Sequence, residues 1–176
     1  MKKISILLVA VIAAAAITSC KNADSTSKAT KDSAQVPTAY AYTIEHPDNW
    51  EIGSSANTAT ALSALKSWEK GKFDECVKYF ADTTQVMFDG MDKKLSNDSL
   101  KVLLIGSWNN YKNVSVTMKD WESVIAKDKS EEWVTLWYVQ YYDDGKGAKD
   151  SVSVINDVQI KNSKIVKLAE YTRKFH

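Results

Sequence analysis

Seven side chains, Trp108, Trp133, Trp137, Tyr138, Tyr141, Asp157 and Tyr171, are the residues of this 176-residue chain best suited to line a small-molecule pocket. Aromatic walls hold an apolar or sugar-like ligand. An acid or phenol among them, here Asp157 or Tyr171, can handle a proton, because burial moves a carboxyl pKa toward a useful value. The plainer reading makes most of these rings core or dimer contacts, environments that aromatics dominate. No complete catalytic set accompanies them, so no residue is assigned as catalytic. His46 precedes the domain and His176 ends the chain; both read as solvated bystanders. Two isolated histidines and one free cysteine have no metal-ligand spacing, and neither a metal nor a cofactor is expected. Glu170 and Arg173 read as surface charges.

The elements that must position these residues start with helices. Ala61, Leu62, Leu65 and Trp68 recur at helical spacing over residues 57–70, and Gly71 stands where a helix stops. A second short helix follows, with Asp74 as its cap and Val77, Tyr79 and Phe80 as its apolar surface. Residues 84–88 read as a short strand closed by Asp89-Gly90. Residues 96–111 read as a third helix that buries Leu100, Leu103, Leu104 and Trp108.

Beyond Asn113 the composition turns to Val, Ile, Thr, Trp and Tyr, which predicts four antiparallel strands over 114–126, 132–142, 151–160 and 165–175. Alternation along the second of these puts Trp133, Thr135, Trp137, Val139 and Tyr141 on one face and Val134, Leu136, Tyr138, Gln140 and Tyr142 on the other. Both faces are largely apolar, so both should be covered, one by the helices and the other by a second copy. A homodimer is therefore expected.

The N-terminus carries a different signal. Lys2 and Lys3 precede an apolar run from Ile4 to Ile17, too short to span a bilayer comfortably, and the run closes on Ile17-Thr18-Ser19-Cys20. Those four residues resemble the lipobox of bacterial lipoproteins, which implies cleavage ahead of Cys20, lipidation of its thiol and anchoring in the cell envelope, the outer membrane being expected. Residues 1–19 are then a signal peptide and residues 20–49 a lipidated cysteine with a flexible tether, since 21–36 hold almost no large apolar side chain. Removing Lys2 and Lys3 leaves 21 basic against 22 acidic side chains. This balance lacks the basic excess of a nucleic-acid binder. Cys76 is left without a partner and sits in an apolar pattern, as a buried inert thiol would.

The stretch from Ala61 to Asp74, followed by Tyr79-Phe80-Ala81-Asp82-Thr83 and Phe88-Asp89-Gly90, resembles the opening of the NTF2-like superfamily in its SnoaL-like branch. The final Lys161-Asn162-Ser163-Lys164-Ile165-Val166 is similar to that family's closing hairpin, with Asn-Ser where Asp-Gly-Lys is usual. The resemblance spans residues 50–176. It implies an α+β, cystatin-like cone in which N-terminal helices pack on a curved antiparallel sheet and leave a pocket, often in a dimer.

Three functions fit these observations. The expected one is a noncatalytic module, displayed on a membrane, that binds a small molecule or a protein. The second is a SnoaL-like isomerase or hydrolase with an acid in its pocket, and the third a structural dimer subunit of an envelope assembly. Separately, five Asp-Ser/Thr dipeptides, at Asp24, Asp32, Asp82, Asp98 and Asp150, continue with Thr, Ala, Leu or Val. They are similar to an O-glycosylation signal of some Gram-negative bacteria, and also to ordinary turns and caps.

Overall fold

Ser54 opens the first helix: its hydroxyl accepts from the Ala56 amide at 3.2 Å, and its own N–H donates to Glu132 Oε1 at 2.6 Å. One side-chain cap and one tertiary bond thus fix where helix α1 (Ser55–Glu69) begins and which strand it lies against. These features come from a computed structural model describing residues 41–43, 49–143, 146 and 148–175. Residues 44–176 form one unit, and its described residues are the subject below. Cys20, the residues before Val36, His46 and His176 lie outside them.

Along α1 the buried positions are Thr58, Ala61, Ala64 and Ser67, every third residue and all small. Small side chains let the helix approach its neighbours closely, while Leu62, Leu65 and Trp68 flank the contact. Gly71 ends the helix in the left-handed region (φ +67°), with its N–H on the Trp68 carbonyl and that of Lys72 on Ser67. Helix α2 (Phe73–Cys76) continues into one turn of 3₁₀ helix (Val77–Tyr79). Asp74 does not cap it; Lys72 holds the cap position, and Asp74 instead accepts from Lys101 of helix α3 (Asn97–Asn109) at 2.5 Å. That bond, and the lysine charge behind it, lower the Asp74 pKa. Ser96 caps α3 through the Ser99 N–H, and Leu100 and Leu104 are its buried residues.

Seven strands make one open sheet: β1 (Trp50–Ile52), β2 (Phe80–Phe88), β3 (Met91–Ser96), β4 (Lys112–Ala126), β5 (Glu132–Asp143), β6 (Lys149–Lys161) and β7 (Lys164–Lys174), in the order β1-β4-β5-β6-β7-β2-β3. The four long strands fall where the sequence places them. Two short edge strands, β1 and β3, are additional, and β2 begins four residues earlier than expected. Both edges are hard to read because Trp50–Ile52 is only three residues and Met91–Ser96 carries Asp92, Lys93 and Lys94, charges typical of an edge. All pairs are antiparallel except β2 with β7, which run parallel with Val86 opposite Leu168. Register shifts in β4 mark bulges that bend the sheet.

Burial alternates along β5 and β6 as the faces require: Val134, Leu136 and Tyr138 of β5, and Val152, Val154, Asn156, Val158 and Ile160 of β6, point to the helices. Among the described residues no helix is long and apolar enough to cross a membrane.

Candidate functional site

The small residues on α1 and the concave side of the sheet leave a cavity of about 300 Å³ between them. Ala61, Ala64 and Leu65 form its helical wall, and Leu136, Val158 and Leu168 its floor. Polar side chains line it as well: Tyr138 on β5, Asn156 on β6 and Glu170 on β7 stand on adjacent strands, with Asp89, Ser107, Tyr111 and Thr172 around them.

Asn156 joins the other two. Its Oδ1 accepts from the Tyr138 hydroxyl at 3.1 Å, while Nδ2 donates to Glu170 Oε2 at 3.2 Å and to the Ile155 carbonyl at 3.3 Å. The opposite amide orientation would set Oδ1 against a carboxylate oxygen and a carbonyl, acceptor against acceptor, so the bonds themselves fix the amide. Asn156 stands directly opposite Glu170 in the β6–β7 register, which is why their side chains meet.

Burial governs the electrostatics. The Glu170 carboxyl keeps some contact with the cavity but is otherwise enclosed by protein, and this raises its pKa to about 7. Burial pushes the Tyr138 hydroxyl well above its ordinary value, and the Glu170 charge adds to this. Cys76 also lines the cavity; its thiol donates to the Ala64 carbonyl at 3.3 Å, and burial raises its pKa to about 12. A thiol so protonated is a wall, not a nucleophile. A carboxyl titrating near neutrality can instead give or take a proton under ordinary conditions.

Of the seven sequence candidates, Tyr138 alone lines this cavity. Trp108 meets Phe73 edge-on, with ring centroids 6.0 Å apart, and stands 3.5 Å from where a Cβ on Gly71 would lie. Trp133, Trp137, Tyr141 and Asp157 lie on the opposite, outer face of the sheet, as does Tyr171, which pairs with Ile155 and is 58% exposed. Asp157 is engaged there by the Thr135 hydroxyl at 2.7 Å, and Trp133 donates to Glu131 at 2.8 Å with Lys167 above its ring.

Glu170 corrects the expectation of a surface charge; Arg173 is exposed as expected. The sequence did hold a signal. Asn156 interrupts the inward series Val152, Val154, Val158 and Ile160, and Glu170 follows Leu168 at the same two-residue spacing. A polar residue at an inward position has to be satisfied inside, and two on neighbouring strands point to a pocket. Among the described residues no group of His, Cys, Asp and Glu could hold a metal ion. Of the Asp-Ser/Thr triplets, Thr83 and Ser99 are exposed and Ser151 is half-buried; those at Asp24 and Asp32 lie outside the described residues.

No protein-family model and no curated protein matches this chain. Solved structures do match in three dimensions. A cystatin-fold protein from Novosphingobium aromaticivorans aligns with a TM-score of 0.54 at 13% identity, covering 67% of this chain and 99% of that one. A protein of ketosteroid isomerase-like fold from Catenulispora acidiphila, solved with trimethylamine, gives 0.53 at 13%, covering 64% and 83%. An LEH-like epoxide hydrolase from M. tuberculosis gives 0.53 at 12%, covering 68% and 84%. The domain thus has the NTF2-like, cystatin-like α+β fold that the sequence pattern led one to expect. Fold alone assigns no reaction.

Proposed function

We propose that this chain is a lipid-anchored envelope protein whose domain binds a small, mostly apolar molecule in the cone cavity and acts on it through Glu170 as an acid–base group. The observation that carries this reading is Glu170 itself: a carboxyl with a pKa of about 7, facing the cavity and beside a neighbouring amide. The noncatalytic module expected from the sequence rested on the lack of any such group. Proteins sharing the fold include an epoxide hydrolase and one solved with a small amine, which is consistent with a cavity for small molecules. A second copy covering the outer face of the sheet, where Trp133, Trp137, Val139 and Tyr141 form a row, completes the reading.

Binding of toluene tests the cavity. Toluene should shift the methyl resonances of Leu136, Val158 and Leu168 in the wild-type chain and leave them unmoved in Leu65→Trp, which fills the helical wall. Equal shifts in both, or none in either, would overturn the assignment. Anchoring is tested by Cys20→Ala, which should move the protein out of the membrane lipoprotein fraction and abolish incorporation of labelled fatty acid; unchanged labelling rules the anchor out.

A further inference from the structure

The two edges of the sheet are finished differently. At one edge β3 carries Asp92, Lys93 and Lys94, charges that keep an edge strand in water. At the other, β1 carries Trp50 and Ile52, and all three of its residues are exposed, Ile52 at 93%. Trp121 of β4 is 52% exposed, and the three apolar side chains line one open groove together with Ser55 and Thr58 at the start of α1. Apolar surface gathered at one place on a domain, instead of scattered singly, marks a surface that something covers.

This edge is a fixed platform. Gly53 donates its N–H to the Ser123 carbonyl at 2.8 Å, and a Cβ at position 53 would lie 2.3 Å from Ser123 Oγ, so glycine alone lets the chain come this close to β4. At the other end of β1 the Lys127 N–H donates to the Asn49 carbonyl at 2.7 Å. Between these two ties Trp50 and Ile52 are already presented to a partner. The charged side chains lining the groove are Glu51 and Glu122, and no Lys, Arg or His is among the described residues that line it. An anionic headgroup therefore finds no countercharge there. An aliphatic side chain between two indoles suits the boundary between headgroups and acyl chains, where the ring N–H groups stay at headgroup level.

Resting on the reading of Cys20 as a lipid anchor, we infer that the edge formed by Trp50, Ile52 and Trp121 docks on the bilayer, with Ile52 among the acyl chains and both tryptophans at the level of zwitterionic headgroups. Trp50 is the first residue of the first strand, so of the three it is joined to Cys20 by the shortest length of chain, that from position 20 to position 50. β1 is the outermost strand, and lipid reaches it without displacing any part of the sheet. Attachment through Cys20 turns docking into an intramolecular step. Three side chains, too few to hold a free protein on lipid, are then enough to orient one that is already attached.

The mature lipidated chain, reconstituted into phosphatidylcholine vesicles, tests this with phosphatidylcholine brominated on its acyl chains as the probe. Bromine quenches only the tryptophans it touches. Trp50 and Trp121 are two of the chain's six, so brominated vesicles should lower the emission by up to about a third. Ile52→Glu should float with the vesicles as the wild type does and lose most of the quenching, whereas Ile52→Leu should keep it. Trp121→Phe should lose about half, one of the two quenched rings being gone. Replacing half of the lipid by phosphatidylglycerol should not strengthen the quenching. Flotation without quenching assigns the edge to another occupant, such as a protein or a second copy, and overturns the inference while the anchor stands. Quenching that survives unchanged in Ile52→Glu or Trp121→Phe, or that grows with phosphatidylglycerol, overturns it equally. Failure of the wild type to float removes the anchor reading and the inference with it.

Discussion

Glu170 on β7 and Asn156 on β6 sit opposite one another in register, with Nδ2 3.2 Å from Oε2, and this contact gives the enclosed carboxyl a polar partner. Without it the carboxyl would lose a hydrogen-bond partner where burial already disfavours its charge.

The raised pKa of Glu170 makes stability fall with pH. The folded state holds the proton up to about pH 7, whereas the unfolded chain releases it near 4.5, so between those values folding is progressively disfavoured. A shift of that size corresponds to a few kcal/mol, on the order of 3. Glu170→Gln should match the wild type near pH 4 and exceed it above pH 7.5, with a flat profile between. Urea denaturation across pH 4–8.5 measures this, and parallel curves for the two proteins would refute it.

Asn156→Ala should cost about 1–3 kcal/mol, because it leaves the buried Tyr138 hydroxyl and the Glu170 carboxyl each one partner short. Adding Tyr138→Phe should recover part of the loss, since the second change removes a group already unsatisfied. Thermal unfolding of Asn156→Ala, Tyr138→Phe and the double variant measures the coupling; strictly additive losses would mean the bond contributes nothing.

Gly71→Ala should destabilise by about 1–2 kcal/mol from its left-handed backbone alone. The nearest atom to the new methyl, in the Trp108 ring at 3.5 Å, is at ordinary contact distance, so no clash adds to this. A midpoint unchanged in chemical denaturation would contradict the helix-end geometry.

On the outer face, Trp137→Glu should convert a dimer into a folded monomer, because a charge placed among Trp133, Val139 and Tyr141 cannot be desolvated by a second copy. Sedimentation velocity distinguishes the two masses. A wild-type chain that is already monomeric at high concentration sinks the dimer proposal.

By itself the sequence determined the helices, the four long strands and the two faces of β5, since each is a periodic pattern written in neighbouring residues. Small residues at every third position of α1 and an Asn within the apolar alternation of β6 were also visible in it. What only the tertiary structure decided was which patterns met. Whether Glu170 faced water or the cavity depended on the β6–β7 register and on the helices lying across that face, both set by contacts between residues far apart in the chain. The same holds for the aromatics: Trp133, Trp137 and Tyr141 have the composition of a pocket, but alternation from Tyr138 turns them to the other side of the sheet. A site belongs to a face, and a chain alone does not say which of its two apolar faces encloses space.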